Sequence, residues 1–333
     1  MTRSRSRAVA QPHRERPEAR IPAPVSSARP EARGRRPAWF RLWWRAVRPF
    51  SFTASMTPVL VGSAVAFGEK RFHPGLFAAA FIASIAIHAG ANLVNDYYDH
   101  VRGVDTPESI GPGGMIQRGL LTPHTVLRGA LVLFALSAIV GLILVASRGW
   151  PILVIGLLSV AAGYAYTGGP VPLGYMGLGD AVVFFFMGMV TTAGAYYVQT
   201  ATISRAVLWA AVPVAALVDA ILVVNNLRDL DGDRARGKRT FATFIGRAAT
   251  QAHFLILVVT AYASIALGVW LRIVPPLAGL AVVTIPDAVR IWKVIRAETD
   301  PQILTVNGIR ATAQLHQRIG LLLALAFVAV RLK

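Results

Sequence analysis

The sequence predicts an all-α, polytopic membrane protein of about nine transmembrane helices. Three observations carry this: 55% of the 333 residues are hydrophobic, mean hydropathy is +0.54, and apolar runs of membrane-spanning length recur from about residue 50 to the end. Only 15% of residues are charged, well short of what a water-facing domain carries. The absence of cysteine excludes disulfides, thiolate metal sites and cysteine nucleophiles.

The order of elements begins with a basic tail, residues 1–36. It mixes Arg with Pro, Ser, Ala and Glu, has almost nothing apolar to bury, and is expected to be disordered. It lacks the apolar core of a signal peptide, and no aromatic residue is interleaved with its arginines as a nucleic-acid arm would require. Residues 37–49 read as an interfacial segment, with Trp39, Trp43 and Trp44 as an aromatic anchor. Residues 50–333 form the transmembrane domain, with spans expected near 50–68, 74–98, 123–146, 149–167, 176–199, 205–227, 248–271, 273–292 and 313–331. If the tail is inside, only Lys70, Arg71, Arg148, Arg205, Arg272, Arg331 and Lys333 of the 34 Lys and Arg residues fall outside. That is the asymmetry of a cytoplasmic N-terminus in a cell (inner) membrane.

The acids are placed unevenly. Of 16 Asp and Glu residues, Asp96, Asp99, Asp105 and Glu108 crowd one inner loop, and Asp229, Asp231 and Asp233 another. The second apolar run ends in His88, Asn92, Asn95, Asp96 and Asp99, whose spacings of three and four put a polar stripe on an otherwise apolar helix. The sixth run ends similarly, in Asn225, Asn226, Asp229 and Asp233. Acids at a membrane edge cost several kcal/mol unless paired or functional. A single stripe could be explained by pairing with Arg102, Arg228 or Arg234; two matched stripes point to a ligand.

Hard oxygen donors of this kind suit Mg²⁺, which takes a few carboxylates together with phosphate oxygens and water. Scattered histidines without cysteine do not suit zinc. Arg228, Arg234, Arg236, Lys238 and Arg239 supply cations for an anionic ligand. Gly232 to Lys238 matches the spacing of a phosphate-binding loop, but Arg239 replaces the required Ser or Thr and no strand precedes it. A transporter would hold its charges between broken midplane helices, whereas these sit at the inner helix ends.

These residues resemble the two Asp-rich motifs of the UbiA superfamily of intramembrane prenyltransferases: Asn95-Asp96-Tyr97-Tyr98-Asp99, and Asn225-Asn226-Leu227-Arg228-Asp229 with Asp233 and Gly237-Lys238-Arg239-Thr240. The segments 111–119, 166–170, 174–180 and 312–316 are most similar to the branch that prenylates 1,4-dihydroxy-2-naphthoate in menaquinone biosynthesis. The likeness spans about residues 45–332.

The resemblance implies a central cavity and a polyprenyl diphosphate donor bound through Mg²⁺. It implies transfer of the prenyl chain to a hydroxy-aromatic acid, giving demethylmenaquinone with loss of CO₂ and diphosphate. Metal ligands would be Asn92, Asn95, Asp96, Asp99, Asp229 and Asp233, and diphosphate-binding cations Arg48, Arg228 and Lys238. Tyr97, Tyr98, Tyr164, Tyr166, Asn225 and Asn226 would line the substrate pocket. Homogentisate or 4-hydroxybenzoate as acceptor, or phytyl diphosphate as donor, are the alternatives within the family. In two respects the chain departs from the pattern: Gly103 stands where many relatives have a further Asp, and no Lys follows Tyr164 and Tyr166 as it does in the 4-hydroxybenzoate branch.

Overall fold

The computed structural model describes residues 39–105 and 114–332; the predicted tail, Glu108 and Gly111 lie outside the described residues. The described residues belong to one unit, and among them the only β-type contact is an isolated parallel bridge between Met176 and Arg239.

α1 is Trp39–Ala46. Its aromatic residues divide: Trp39 and Trp44 are exposed, while the Trp43 ring packs on Gly129. A left-handed residue, Arg48 (φ 57°), ends this segment, and the chain bends by 56° into α2, Thr53–Gly68. α3 is Pro74–Val101, α4 Pro123–Arg148 and α5 Trp150–Ala165. α6, Gly179–Thr200, contains a π-helical stretch at Val183–Val190. α7 is Arg205–Ala235 and α8 Phe241–Trp270. A 3₁₀ stretch, Pro276–Thr284, leads into α9, Ile285–Ala297. α10, Pro301–Arg331, includes π-helical Leu304–Arg310.

Every predicted apolar run is helical over most of its length, but the count of nine spans is not reproduced. Among the described residues six helices are long and apolar enough to cross a membrane, or seven with the bent α1–α2 pair. α5 falls short because it is only 16 residues long, and the 3₁₀ stretch before α9 interrupts the eighth run. α3 and α7 run further than their apolar residues, to Val101 and Ala235. Both Asn/Asp motifs are therefore helical.

α7 is the buried axis of the bundle: 72% of its apolar window is buried, against 22% for α4. Small residues let its neighbours approach. A Cβ on Gly188 of α6 would lie 2.3 Å from Cα of Ala215 on α7, and one on Gly62 of α2 would lie 2.1 Å from the Thr192 carbonyl oxygen on α6. Such backbone contact is how helices gain packing energy in lipid, where apolar burial gives none. α4 instead turns Val132, Ile139 and Ile143 outward, as a lipid-facing surface requires. The chain is a multi-pass membrane protein.

Candidate active site

A cavity of about 1460 Å³ opens among α2 to α7 and α10. One region is apolar, lined by Phe134, Leu142, Val145, Leu153, Ile155 and Leu157. The other carries both motifs. Asn92, Asn95 and Asp99 line it from α3; Asn225, Asn226, Asp229 and Asp233 line it from α7. A helix turns about 100° per residue, so spacings of three and four bring each set to one face.

The structure brings these groups together with cations of the same chain. Asp99 and Asp233, both buried, lie 3.8 Å and 4.0 Å from the Lys238 ammonium. Burial acts to lower the Lys238 pKa, but the carboxylates of Asp99, Asp233, Asp229 and Asp105 outweigh it and raise it. Asp229 accepts from Arg228 through Nε at 2.7 Å and Nη2 at 2.5 Å, the bidentate geometry characteristic of arginine. Asp105 also lines the cavity, and burial, then the Asp99 charge, pushes its carboxyl up. Arg48, at the α1–α2 bend, lines the cavity and pairs with Asp96. Asn92 donates to the Val47 carbonyl at 3.1 Å and to Ser51 Oγ at 3.2 Å. His88 contacts Ser55 at 3.1 Å and Ser51 at 3.3 Å.

Three expected site residues stand off the cavity wall. Asp96 shares the face of Asn92 and Asp99, about 40° and 60° away around α3, but is buried behind the Arg48 guanidinium with which it pairs. Tyr97 and Tyr98 pack against the cluster of Leu93, Met115 and Ile116. Tyr98 also meets the hydroxyl of Tyr164 at 2.6 Å. Tyr164 and Tyr166 do line the cavity, as does Arg228. Asp231, on the rim, turns a 79% exposed carboxylate to Arg247 at 3.1 Å. It lies about 200° from Asp229, which is the reason.

Sequence reasoning missed Tyr175, Asp180 and Arg310. The Tyr175 hydroxyl donates to Asp99 at 2.5 Å, and burial, then the Asp99 charge and this hydrogen bond, holds its pKa far above the usual tyrosine range. Asp180 accepts from Asn226 at 3.5 Å, and Arg310 lines the cavity. A lone Tyr or Arg in an apolar stretch carries no signal by itself; only contacts distant in sequence, 76 residues in the case of Tyr175 and Asp99, reveal these positions.

Among the described residues no three acidic or histidine side chains stand close enough to enclose a metal ion alone. The donors that do line the cavity, amide and carboxylate oxygens of Asn92, Asn95, Asp99, Asn225, Asp229 and Asp233, are of the hard-oxygen kind that Mg²⁺ takes together with ligand oxygens and water. Oxygen donors on two helices, with Lys238, Arg48 and Arg228 beside them, thus border a cavity whose other region is apolar.

Residues 55–307 match the UbiA prenyltransferase family. The chain belongs to this family and is an enzyme that transfers prenyl groups. It is 33% identical over 295 residues to the 1,4-dihydroxy-2-naphthoate octaprenyltransferase of Bacillus subtilis, covering 86% of this chain and 92% of that protein. It is 28% identical over 308 residues to the 2-carboxy-1,4-naphthoquinone phytyltransferase of Synechocystis, covering 91% and 98%. The fold matches a solved UbiA homologue from Archaeoglobus fulgidus bound to GPP and Mg²⁺, with a TM-score of 0.59, 16% identity and coverage of 86% and 99%.

Proposed function

We propose that the chain transfers a polyprenyl group from its diphosphate to 1,4-dihydroxy-2-naphthoate, releasing CO₂ and diphosphate, at the inner face of the cell membrane. The observation that carries this is the convergence of the Asn92/Asn95/Asp99 and Asn225/Asp229/Asp233 faces at one region of a cavity that is otherwise apolar. The naphthoate acceptor is supported by the name of the Bacillus relative.

In this reading Asn92, Asn95, Asp99, Asp229 and Asp233 hold Mg²⁺, with Asp96 acting through Arg48. Bound Mg²⁺ neutralises the diphosphate and makes it a better leaving group. Lys238, Arg48 and Arg228 add fixed positive charge against the phosphate oxygens, placed before the donor arrives and so stabilising the charge that develops as the C–O bond breaks. The prenyl chain lies along Phe134, Leu142 and Leu153. Tyr164 and Tyr166 present π faces to the allylic cation in a region poor in water. Once the C–O bond has broken and diphosphate has left, the electron-rich ring attacks the allylic cation to form the new C–C bond, and loss of the carboxylate as CO₂ restores the aromatic ring.

The test is purified protein supplied with radiolabelled geranylgeranyl or longer diphosphate, with the acceptor varied among the naphthoate, homogentisate and 4-hydroxybenzoate. Phytyl diphosphate tests the donor named for the cyanobacterial relative. A labelled prenyl naphthoquinol, recovered as the quinone after oxidation in air, is expected in the first case only. Turnover with another acceptor alone would overturn the assignment.

A further inference from the structure

Tyr175 sits in neither Asp-rich motif, yet it touches groups from both. It lies in the short 3₁₀ turn Leu173–Tyr175, in the loop between α5 and α6. Its hydroxyl donates to Asp99 of the first motif. The Lys238 ammonium, following the second motif, lies 4.9 Å from its ring centroid, and the Arg102 guanidinium 5.0 Å. Cations at that range are attracted by the ring quadrupole.

The backbone around Tyr175 is fixed independently of these contacts. Gly174 N–H donates to the Tyr166 carbonyl at 2.8 Å, and Tyr175 N–H to the Pro172 carbonyl at 2.9 Å. Met176 forms its parallel bridge with Arg239, the neighbour of Lys238. Gly177, at φ +76°, adopts a turn that L side chains rarely take, and a Cβ there would lie 2.7 Å from the Phe244 ring. Arg102 ties the other end of the loop to the first motif through the carbonyls of Thr167 and Gly169. The tyrosine is therefore held from a scaffold that spans both motifs.

We propose that Tyr175 is a positioning residue that holds Asp99 and Lys238 apart in the orientation required for the donor's diphosphate. Asp99 and Lys238 stand 3.8 Å apart, longer than a charge-assisted hydrogen bond of about 2.8 Å. The Tyr175 hydroxyl occupies one carboxylate oxygen while its ring carries the ammonium, so neither charge collapses fully onto the other. Without the hydroxyl, the carboxylate turns to Lys238 and both groups are withdrawn from the ligand. The inference rests on the donor-site reading above and goes beyond it, by naming what sets the geometry of that site.

The test measures ligand binding directly. Full-length wild-type protein, Tyr175→Phe, Tyr175→His and Asp99→Asn are titrated with Mn²⁺ in the presence of inorganic diphosphate, free Mn²⁺ being followed by electron paramagnetic resonance. Tyr175→Phe is expected to weaken diphosphate-dependent Mn²⁺ uptake about tenfold, the scale of one hydrogen bond to a charged group. Its thermal unfolding midpoint should match wild type. Tyr175→His, which keeps a ring and an N–H donor, should recover part of the loss, and the Tyr175→Phe change should add nothing in an Asp99→Asn background. Uptake by Tyr175→Phe within twofold of wild type overturns the assignment, as does a loss matched by a fall in the unfolding midpoint. Should wild type show no diphosphate-dependent uptake, the donor-site reading itself fails and the inference with it.

Discussion

Asp229, Asp231 and Asp233 occupy alternate positions on one helix and meet three different environments. Asp233 is buried near Lys238, Asp229 is clasped by Arg228, and Asp231 reaches solvent and Arg247. Asp229→Asn and Asp233→Asn remove charge that counts most as diphosphate leaves, and turnover should fall about a hundredfold or more. Asp231→Asn loses only an exposed ion pair, worth about 0–1 kcal/mol, and should cost less than about tenfold. Initial rates at saturating donor and Mg²⁺, with folding matched, check the series; equal losses at all three would contradict the face assignment. This pattern was legible in the sequence because helical spacing alone assigns faces. Tyr97 and Tyr98, expected on the pocket wall, pack one layer behind it, Tyr98 against the hydroxyl of the wall residue Tyr164. The role of Tyr175 was not legible, since its partners, Asp99 on α3 and Lys238 after α7, are both more than 60 residues away in sequence.

At the scale of the helix, glycine marks where backbones touch. Gly188→Leu would drive a side chain into Ala215 on the central α7, whereas nothing lies within 4 Å of a Cβ on Gly141 of α4. Gly188→Leu should lower the unfolding midpoint in detergent or prevent folding, because overpacking costs about 1–3 kcal/mol even where the structure relaxes. Gly141→Leu should leave the midpoint unchanged within about 2 °C, as surface substitutions do. Circular dichroism melts of both variants settle the comparison. The positions of the elements were readable from apolar runs, but their number as spans was not. α5, at 16 residues, is shorter than the six long spans, and a 3₁₀ stretch before α9 interrupts a run that hydropathy reads as continuous. The π-helical stretches of α6 and α10, which line the cavity through Val183, Phe186 and Arg310, leave no mark on hydropathy because they do not change composition.

For the molecule as a whole, the basic tail is expected to be dispensable for turnover. Residues 1–36 offer almost no apolar side chains for joining the membrane domain, so a chain lacking them should retain turnover per folded molecule. A folded, inactive truncation would refute this; altered affinity for anionic vesicles would not. Metal dependence also belongs to this scale, since it requires both helices to face a common ligand. Excess EDTA should abolish turnover and added Mg²⁺ restore it; full activity in chelator would remove the charge-bridging mechanism.

The bend between α1 and α2 sets a trap for protein engineering. Arg48 holds a left-handed backbone, φ 57° and ψ 62°, which costs an L residue about 1–2 kcal/mol and which a stability designer would relieve with glycine. That substitution would also orphan Asp96, whose side chain is 5% exposed, and removing one member of a buried pair costs about 3–5 kcal/mol. The Arg48 side chain is 17% exposed, which trims this penalty without reversing the balance. Only Arg48→Gly combined with Asp96→Asn could release the strain, and it would delete a cation at the mouth of the reaction chamber. Changed alone, Arg48 is thus kept both by stability and by the proposed donor site; only the pair of substitutions sets a hardier corner against the loss of that charge.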